Sequence, residues 1–204
     1  MSGNSSSLKA NSSISEYVLL RAFPVKRNFG NAPEIKEVLW HPPIMHWLKC
    51  NIDGASLGNP GPSACGEIFR NSSSDFVDVF AYNLGITNSL SAELQGAMFA
   101  IEIASQKGWN HLWLETYLIL VTLAFKSSKV VPWHLRNRWE NCLHKISPMN
   151  FFVTHIYREG NQCADTLANI DISLQTHAWW DHVPIQISTE VSRNRIEMTN
   201  FRFC

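Results

Sequence analysis

Four acidic residues lie at the ends of predicted strands and helices. Asp53 closes the first predicted strand, and Glu93 opens a long helix. Glu115 closes the fourth strand, and Asp165 lies early in the last helix. Each has a purely structural role available, since acids in a first helical turn favour the dipole and Asp-Gly forms turns. The joint placement of the four along a βββαβ…βα order is harder to explain by four separate structural roles.

The junction after the fourth strand carries an unusual residue. The stretch HLWLETYLILV, residues 111–121, runs from a short apolar strand through Glu115 and Thr116 into a second apolar segment that opens on Tyr117. In a fold of alternating strands and helices, such a junction usually has a small polar cap or a catalytic group. A bulky phenol at this junction has two explanations. Either the junction is part of the hydrophobic core, or a functional site there has been altered.

Length and composition favour one globular domain. The chain has 204 residues, of which 45% are hydrophobic, enough for a core. Charged residues make up 17%, and Lys plus Arg balance Asp plus Glu at 17 each. Because no overall basic field is present, a nucleic-acid partner would have to be bound by a local patch.

Cysteine usage and hydropathy indicate an intracellular chain. The five cysteines are odd in number and scattered, without CxxC or Cys/His ligand spacing, which argues against a disulfide framework and a zinc site. The N-terminus lacks the apolar core of a signal peptide, and no run approaches the roughly 18 apolar residues of a membrane span. We expect a monomer in the nucleus or cytoplasm, without a membrane partner.

The periodicity predicts three strands in an antiparallel meander, followed by alternating helices and strands. Residues 1–44 read as a largely disordered or irregular lead-in, 45–172 as the domain, and 173–204 as a tail without a clean period. The strongest helix runs from Ser91 to about Lys107, with Ser89 or Ser91 available as N-cap. The order predicts a mixed sheet with helical cover, an α/β architecture.

Several segments together resemble the type 1 ribonuclease H domain, most closely its retroelement-derived branch in plants, where the domain is found alone or trailing a reverse transcriptase. They are DGASLGNPGPSACG from Asp53, AEL from Ala92, the strand ending in Glu115-Thr116, and REGNQCADTLAN from Arg158. They occur in the family's order and spacing over about residues 47–169, which makes the match more specific than any single motif.

The resemblance implies a fold and an activity. The fold is a five-stranded mixed sheet with helices on both faces. The activity is endonucleolytic cleavage of the RNA strand of an RNA/DNA hybrid by two Mg²⁺ ions in a carboxylate cluster. Two ions clamp the attacking water and the leaving oxygen of an in-line displacement, and they neutralise carboxylates that otherwise repel one another.

Transferred to this sequence, the family's first, second and fourth carboxylates are Asp53, Glu93 and Asp165. The third should follow the Glu-Thr of the fourth strand, where this chain has Tyr117, and the small polar residue that commonly comes next is Leu118. A phenol is neutral at pH 7 and a poor Mg²⁺ ligand. Glu115 lies about 6.5 Å earlier along the strand and does not obviously replace the missing acid.

The loop between the last strand and the last helix offers two candidate assisting residues. His155 lies ten residues before Asp165, a spacing at which the family often has a loop histidine that aids product release or proton transfer. Arg158 is in the same loop and could serve instead. His155 could equally be an ordinary strand residue within FFVTHIY.

Candidate nucleic-acid contacts come from two regions. The loop containing Gly58 and Asn59 resembles the family loop that contacts the hybrid, although a plain turn is also compatible, and Ser89 lies before the long helix. The second region, residues 126–145, has cations interleaved with Trp133 and Trp139, which suits phosphate binding. An amphipathic helix with core tryptophans accounts for it equally well. Its cations are Lys126, Lys129, Arg136, Arg138 and Lys145.

The sequence therefore predicts a ribonuclease H-type domain that has three of four metal-site carboxylates and impaired cleavage. Mg²⁺ is the implied cofactor, bound more weakly than in the family, and an RNA/DNA hybrid is the implied partner. Two alternatives stay open: a non-catalytic nucleic-acid-binding module or retroelement relic, and a protein-interaction remnant that uses the Trp-rich tail.

Overall fold

The computed structural model describes residues 34–174 and 177–204, and most of the predicted lead-in, residues 1–33, lies outside them. By its internal contacts, Glu37–Arg202 forms the main compact unit, and residues 34–36 and 203–204 belong to a second, small unit. Within the described ranges, no helix has the length and apolar character needed to cross a membrane.

Strands and helices alternate along the described chain after an initial meander. The strands are β1 (Ile35–Val38), β2 (Leu48–Ser56), β3 (Gly61–Arg70), β4 (Phe76–Thr87), β5 (His111–Thr116), β6 (Asn150–His155), β7 (Ala178–Trp180) and β8 (Asn200–Phe203). The helices are α1 (Ser89–Gln106), α2 (Ile119–Lys126), α3 (Arg136–Ile146), α4 (Gln162–Leu174) and α5 (Ile185–Arg195).

One mixed sheet organises the fold, in the order β6-β5-β2-β3-β4-β7. Strands β2, β3 and β4 pair antiparallel, whereas β5 pairs parallel with both β2 and β6. The predicted meander and mixed α/β architecture are confirmed. The expected count of five strands is wrong, because β7, from the tail that has no clean period, adds a sixth strand beside β4. Strands β1 and β8 form a separate two-stranded sheet.

Strand and helix ends differ from the sequence expectation near the predicted site. β2 continues three residues past Asp53, so the Asp-Gly pair lies inside a strand and forms no turn. The helix α1 begins at Ser89 and its N-cap is Asn88, whose side chain accepts a hydrogen bond from the Ser91 amide at 2.8 Å. The expected serine cap is therefore wrong; asparagine is an equally good cap one residue earlier.

Helices cover both faces of the sheet at close range, and two glycines permit this. A Cβ atom on Gly54 would lie 2.2 Å from the Glu93 amide nitrogen at the start of α1. A Cβ atom on Gly66 would lie 2.4 Å from the Ala168 amide nitrogen in α4. Gly66 pairs with Asp53 across the ladder and therefore points to the same face of the sheet as Asp53. Gly54, the residue after Asp53, points to the other face, so the two helices lie on opposite faces.

The α4 face of β2 is polar but buried. Lys49 and Asn51 are each 1% exposed, although alternation along Leu48–Asp53 indicated only that they point away from the apolar residues. The Lys49 ammonium lies 2.7 Å from Glu115 Oε2 and donates to the His41 carbonyl oxygen at 2.9 Å. Burial lowers the pKa of Lys49 to about 8, and the Glu115 carboxylate opposes that lowering. Glu115 is therefore the counter-ion of a buried cation.

We predict that Glu115→Gln lowers the free energy of unfolding by about 3 kcal/mol, because removing one partner of a buried ion pair leaves the other charge uncompensated. Urea unfolding monitored by tryptophan fluorescence measures this. Glu140→Gln, at an exposed position on α3, is the charge-matched control and should change stability by less than about 0.5 kcal/mol. Equal stability of the two variants would contradict the pairing.

Candidate active site

Two carboxylates meet where β2 passes the start of α1. Asp53 is 2% exposed and Glu93 is fully buried, and their side chains share a hydrogen bond. Burial, followed by the nearby Asp165 carboxylate, raises the pKa of Asp53 to about 7. Burial and the Asp53 charge raise the pKa of Glu93 well above its usual range. The pair therefore retains a proton near neutral pH, because ionising both of two carboxyl groups in contact is energetically unfavourable.

Tyr117 follows β5 and lies beside this pair. Its phenol is half-buried, and burial, with the Glu93 and Asp53 charges next in importance, raises its pKa above the usual value of 10.0. The phenol therefore stays neutral. The preceding Thr116 donates to Glu93 Oε2 at 3.2 Å and accepts a hydrogen bond from the Leu118 amide at 3.1 Å. Thr116 thus connects the start of the next segment to the carboxylate pair.

Asp165 lies in the first turn of α4 and is partly exposed. The Arg158 guanidinium donates to Asp165 Oδ1 from Nε at 3.0 Å and also from Nη2. The same guanidinium lies 5.8 Å from the centre of the Tyr117 ring. Arg158 therefore puts a positive charge close to both the Tyr117 phenol and the Asp165 carboxylate. Arg158 and Asp165 line an open cavity of about 360 Å³, together with Glu159, Gln162 and Thr166.

These residues provide too few free oxygen ligands to bind two metal ions. Asp53 Oδ1 and Glu93 Oε1 are buried and have no hydrogen-bond partner within the described ranges, so each could accept a cation. Asp165 already accepts from Arg158, and the neutral Tyr117 contributes no charge. Among the residues that the structure describes, no three or more His, Cys, Asp or Glu side chains are arranged to hold a metal ion.

Two other candidates lie near this region in different roles. His155 ends β6 with its side chain exposed, and its ring meets the Tyr157 ring edge-on at 5.4 Å between centroids. Glu115 accepts hydrogen bonds from Asn51 at 3.0 Å and from Thr154 at 3.2 Å. Glu115 is thus engaged in the buried network on the α4 face, and the structure does not bring it to the position of the missing acid.

The candidate nucleic-acid contacts differ in their exposure and in the partners that they already have. Arg138 donates to both carboxylate oxygens of Glu102, at 2.9 and 2.7 Å. Trp139 is fully buried, whereas Trp133 is 82% exposed. Lys145 is partly exposed, and the exposed Arg136 donates from Nε to the Val131 carbonyl oxygen at 3.2 Å. The other candidates are also exposed: Gly58, Asn59, Ser89, Lys126 and Lys129.

Sequence reasoning missed the asparagine that joins the site's loop to the sheet. Asn161 is 1% exposed and donates to the Ile52 carbonyl oxygen at 2.8 Å, next to Asp53. Its backbone carbonyl accepts a hydrogen bond from the Asp165 amide at 3.1 Å. The segment REGN gave the local signal of an asparagine just before a helix, but its partner, more than a hundred residues earlier in the chain, cannot be read from that segment.

Comparison with known proteins gives one family. A family described as reverse transcriptase-like matches residues 51–170. An Arabidopsis thaliana protein named "Putative ribonuclease H protein" is 29% identical in an alignment of 175 residues that covers 83% of this chain. The chain spans only 28% of that protein.

Solved structures share the fold. A ribonuclease H1 from the archaeon Halobacterium salinarum NRC-1 is 25% identical, with a TM-score of 0.57 over 63% of this chain and 98% of that protein. LC11 ribonuclease H1, solved with an RNA/DNA hybrid, has a TM-score of 0.57 and 22% identity over the same shares of the two chains. The likeness confirms the predicted ribonuclease H-like fold, and the chain belongs to the reverse transcriptase-like family of ribonuclease H-type domains.

Proposed function

We propose that this domain binds RNA/DNA hybrids and cleaves the RNA strand poorly or not at all. The single observation that carries the proposal is the neutral, half-buried phenol of Tyr117 beside Asp53 and Glu93, where the resemblance implies a third carboxylate. Hybrid binding is suggested by the fold shared with LC11 ribonuclease H1, which was solved with that ligand. The exposed cations near α2 and α3 support it.

The residues at the site support at most weak divalent-metal binding. Asp53 and Glu93 are the residues that would hold an ion, each with one buried oxygen free of hydrogen bonds from the described residues. A second ion would need further carboxylate oxygens, and Tyr117 and the Arg158-paired Asp165 do not supply them. In the family the ions supply the nucleophile and charge stabilisation. Here Arg158 binds Asp165, and Thr116 orients Glu93.

We predict that the natural chain cleaves the RNA strand of a labelled hybrid at least about tenfold more slowly than its Tyr117→Asp variant in Mg²⁺ or Mn²⁺, because the substitution restores a charged oxygen ligand. Tyr117→Asn is the matched control, with the same shape as aspartate but no charge. Equal cleavage by the natural chain and the aspartate variant would show that Tyr117 does not impair catalysis.

We predict that thermal unfolding separates metal binding from cleavage in the same variants. Without metal, Tyr117→Asp should unfold at a lower temperature than Tyr117→Asn, because a third like charge joins the buried pair. Adding 10 mM Mg²⁺, roughly a saturating dose for a weak site, should raise the Tm of the aspartate variant only. Identical Tm values of Tyr117→Asp with and without Mg²⁺ would show that the substitution does not restore a metal site.

We predict a characteristic pH dependence for Asp53. Its pKa in the folded state, about 7, is higher than the ordinary aspartate value of 3.8, so the folded state loses stability as the pH rises from the lower value to the higher one. Asp53→Asn removes this loss. Its free energy of unfolding relative to the natural chain should therefore rise by about 2.5 kcal/mol from pH 5 to pH 8, since one pKa unit corresponds to about 1.4 kcal/mol. Urea unfolding in a chelating buffer measures it, and parallel pH profiles would disprove it.

A further inference from the structure

The loop that carries Arg158 is held by a chain segment outside the family match. This loop, residues 156–161, joins β6 to α4. Val38, Trp40 and Ile156 form a separate buried apolar cluster at its start. A Cβ atom on Gly160 would lie 2.5 Å from Ile156 Cδ1 and 2.9 Å from Val38 Cγ1. Any residue larger than glycine at position 160 would therefore force the Ile156 and Val38 side chains to move.

Trp40 is also hydrogen-bonded into the sheet next to the site. Its indole Nε1 donates to Asn51 Oδ1 at 2.8 Å, and Asn51 Nδ2 donates to Asn161 Oδ1 at 3.1 Å. Asn161 in turn donates to the Ile52 carbonyl oxygen and accepts from the Asp165 amide. One continuous chain of hydrogen bonds therefore runs from Trp40 to the strand before Asp53 and to the helical turn of Asp165.

Two buried cations fix the Trp40 ring. The Arg70 guanidinium lies 3.6 Å and the Lys49 ammonium 4.9 Å from its centre. Lys49 also donates to the carbonyl oxygen of His41, the next residue in the chain. Cations over a desolvated indole are among the stronger cation–π contacts. The segment Val38–His41 is therefore anchored by apolar packing, hydrogen bonds and charge at once.

The opposite end of the chain contacts the same loop. Arg202, in β8, lies 3.4 Å from both carboxylate oxygens of Glu159 and 4.8 Å from the centre of the Tyr157 ring. Glu159 lines the cavity beside Arg158 and Asp165. Residues on both sides of the matched segment 51–170 therefore hold the loop.

We propose that Val38–His41 is a brace for the site, and that Trp40 is a positioning residue that sets the place of Arg158 and Asp165 through Asn51 and Asn161. The consequence for binding rests on the proposed function, since the loop would then contact the hybrid. The brace itself is a property of the fold and can be measured without any ligand.

The test compares two equally buried tryptophans. Trp40→Phe removes the indole donor to Asn51 and keeps an apolar ring. Trp139→Phe makes the same change in a fully buried residue of the core cluster on the α1 face, whose indole nitrogen has no partner in the described part of the chain. Hydrogen exchange at residues 156–161 and at the Asp165 amide should become about tenfold faster in Trp40→Phe, the scale of one lost buried hydrogen bond. Trp139→Phe should leave it unchanged.

Hybrid affinity is the second measurement. We expect Trp40→Phe to weaken binding to an RNA/DNA hybrid about threefold to tenfold relative to the natural chain, corresponding to about one hydrogen bond. Equal loop exchange in the two variants would overturn the brace. Faster exchange in Trp40→Phe with unchanged affinity would overturn its role in binding. If the natural chain does not bind the hybrid, the proposed function fails, and exchange alone decides the brace.

A milder pair keeps the test decisive if Trp40→Phe does not fold. Val38→Ala loosens the packing on Ile156 and Gly160 without touching the hydrogen bonds of Trp40. Val131→Ala is its control, since Val131 is 1% exposed and belongs to the core cluster on the α1 face. Faster loop exchange in Val38→Ala alone supports the brace, and equal exchange in both variants overturns it.

Discussion

The central strand β2 puts polar side chains into the interior, and each of them needs a partner. Lys49, Asn51 and Asp53 point to the same face, and all three are at most 2% exposed. Burying an unpaired charge costs several kcal/mol, so the chain must bring partners from elsewhere. Asn51 alone accepts from Trp40 and from the Arg70 guanidinium and donates to Glu115 and Asn161. The lead-in segment, β3, β5 and the loop before α4 all meet at this residue.

At the candidate site, in contrast, the buried polar groups of β2 and its neighbours are not fully paired. At Asp53 the neighbouring group is a second acid, Glu93, and one oxygen of each lacks a hydrogen bond within the described residues. A third acid at residue 117 would add repulsion that only bound cations could relieve. The neutral phenol of Tyr117 removes that requirement, and the Arg158 guanidinium provides a cation for Asp165. Under the proposed function, the residue that would impair cleavage would therefore also make the site less dependent on metal.

How much of the molecule is predictable from sequence depends on how local each signal is. The strand His111–Thr116 is predictable to the residue because its apolar run ends at a polar pair, and the resemblance names Asp53, Glu93 and Asp165 from short motifs. Alternation in Leu48–Asp53 indicates two faces but not that both are buried, since the partners of Lys49 and Asn51 come from residues 40, 70, 115 and 161. The three residues of β7 are too few to show a period. The sequence does not single out Asn88 as the N-cap, because two serines follow it closely.

The buried network also bears on where the domain begins. An ion pair inside a protein adds little stability compared with well-packed apolar residues, but removing one of its members is costly. The family match begins at residue 51, yet Asn51 accepts a hydrogen bond from Trp40, and Lys49 donates one to His41. A fragment that starts at the match would leave Arg70 and Glu115 buried without partners that the longer chain gives them. The physical boundary of the fold therefore lies before Val38, because the polar face of β2 is satisfied only when that segment is present.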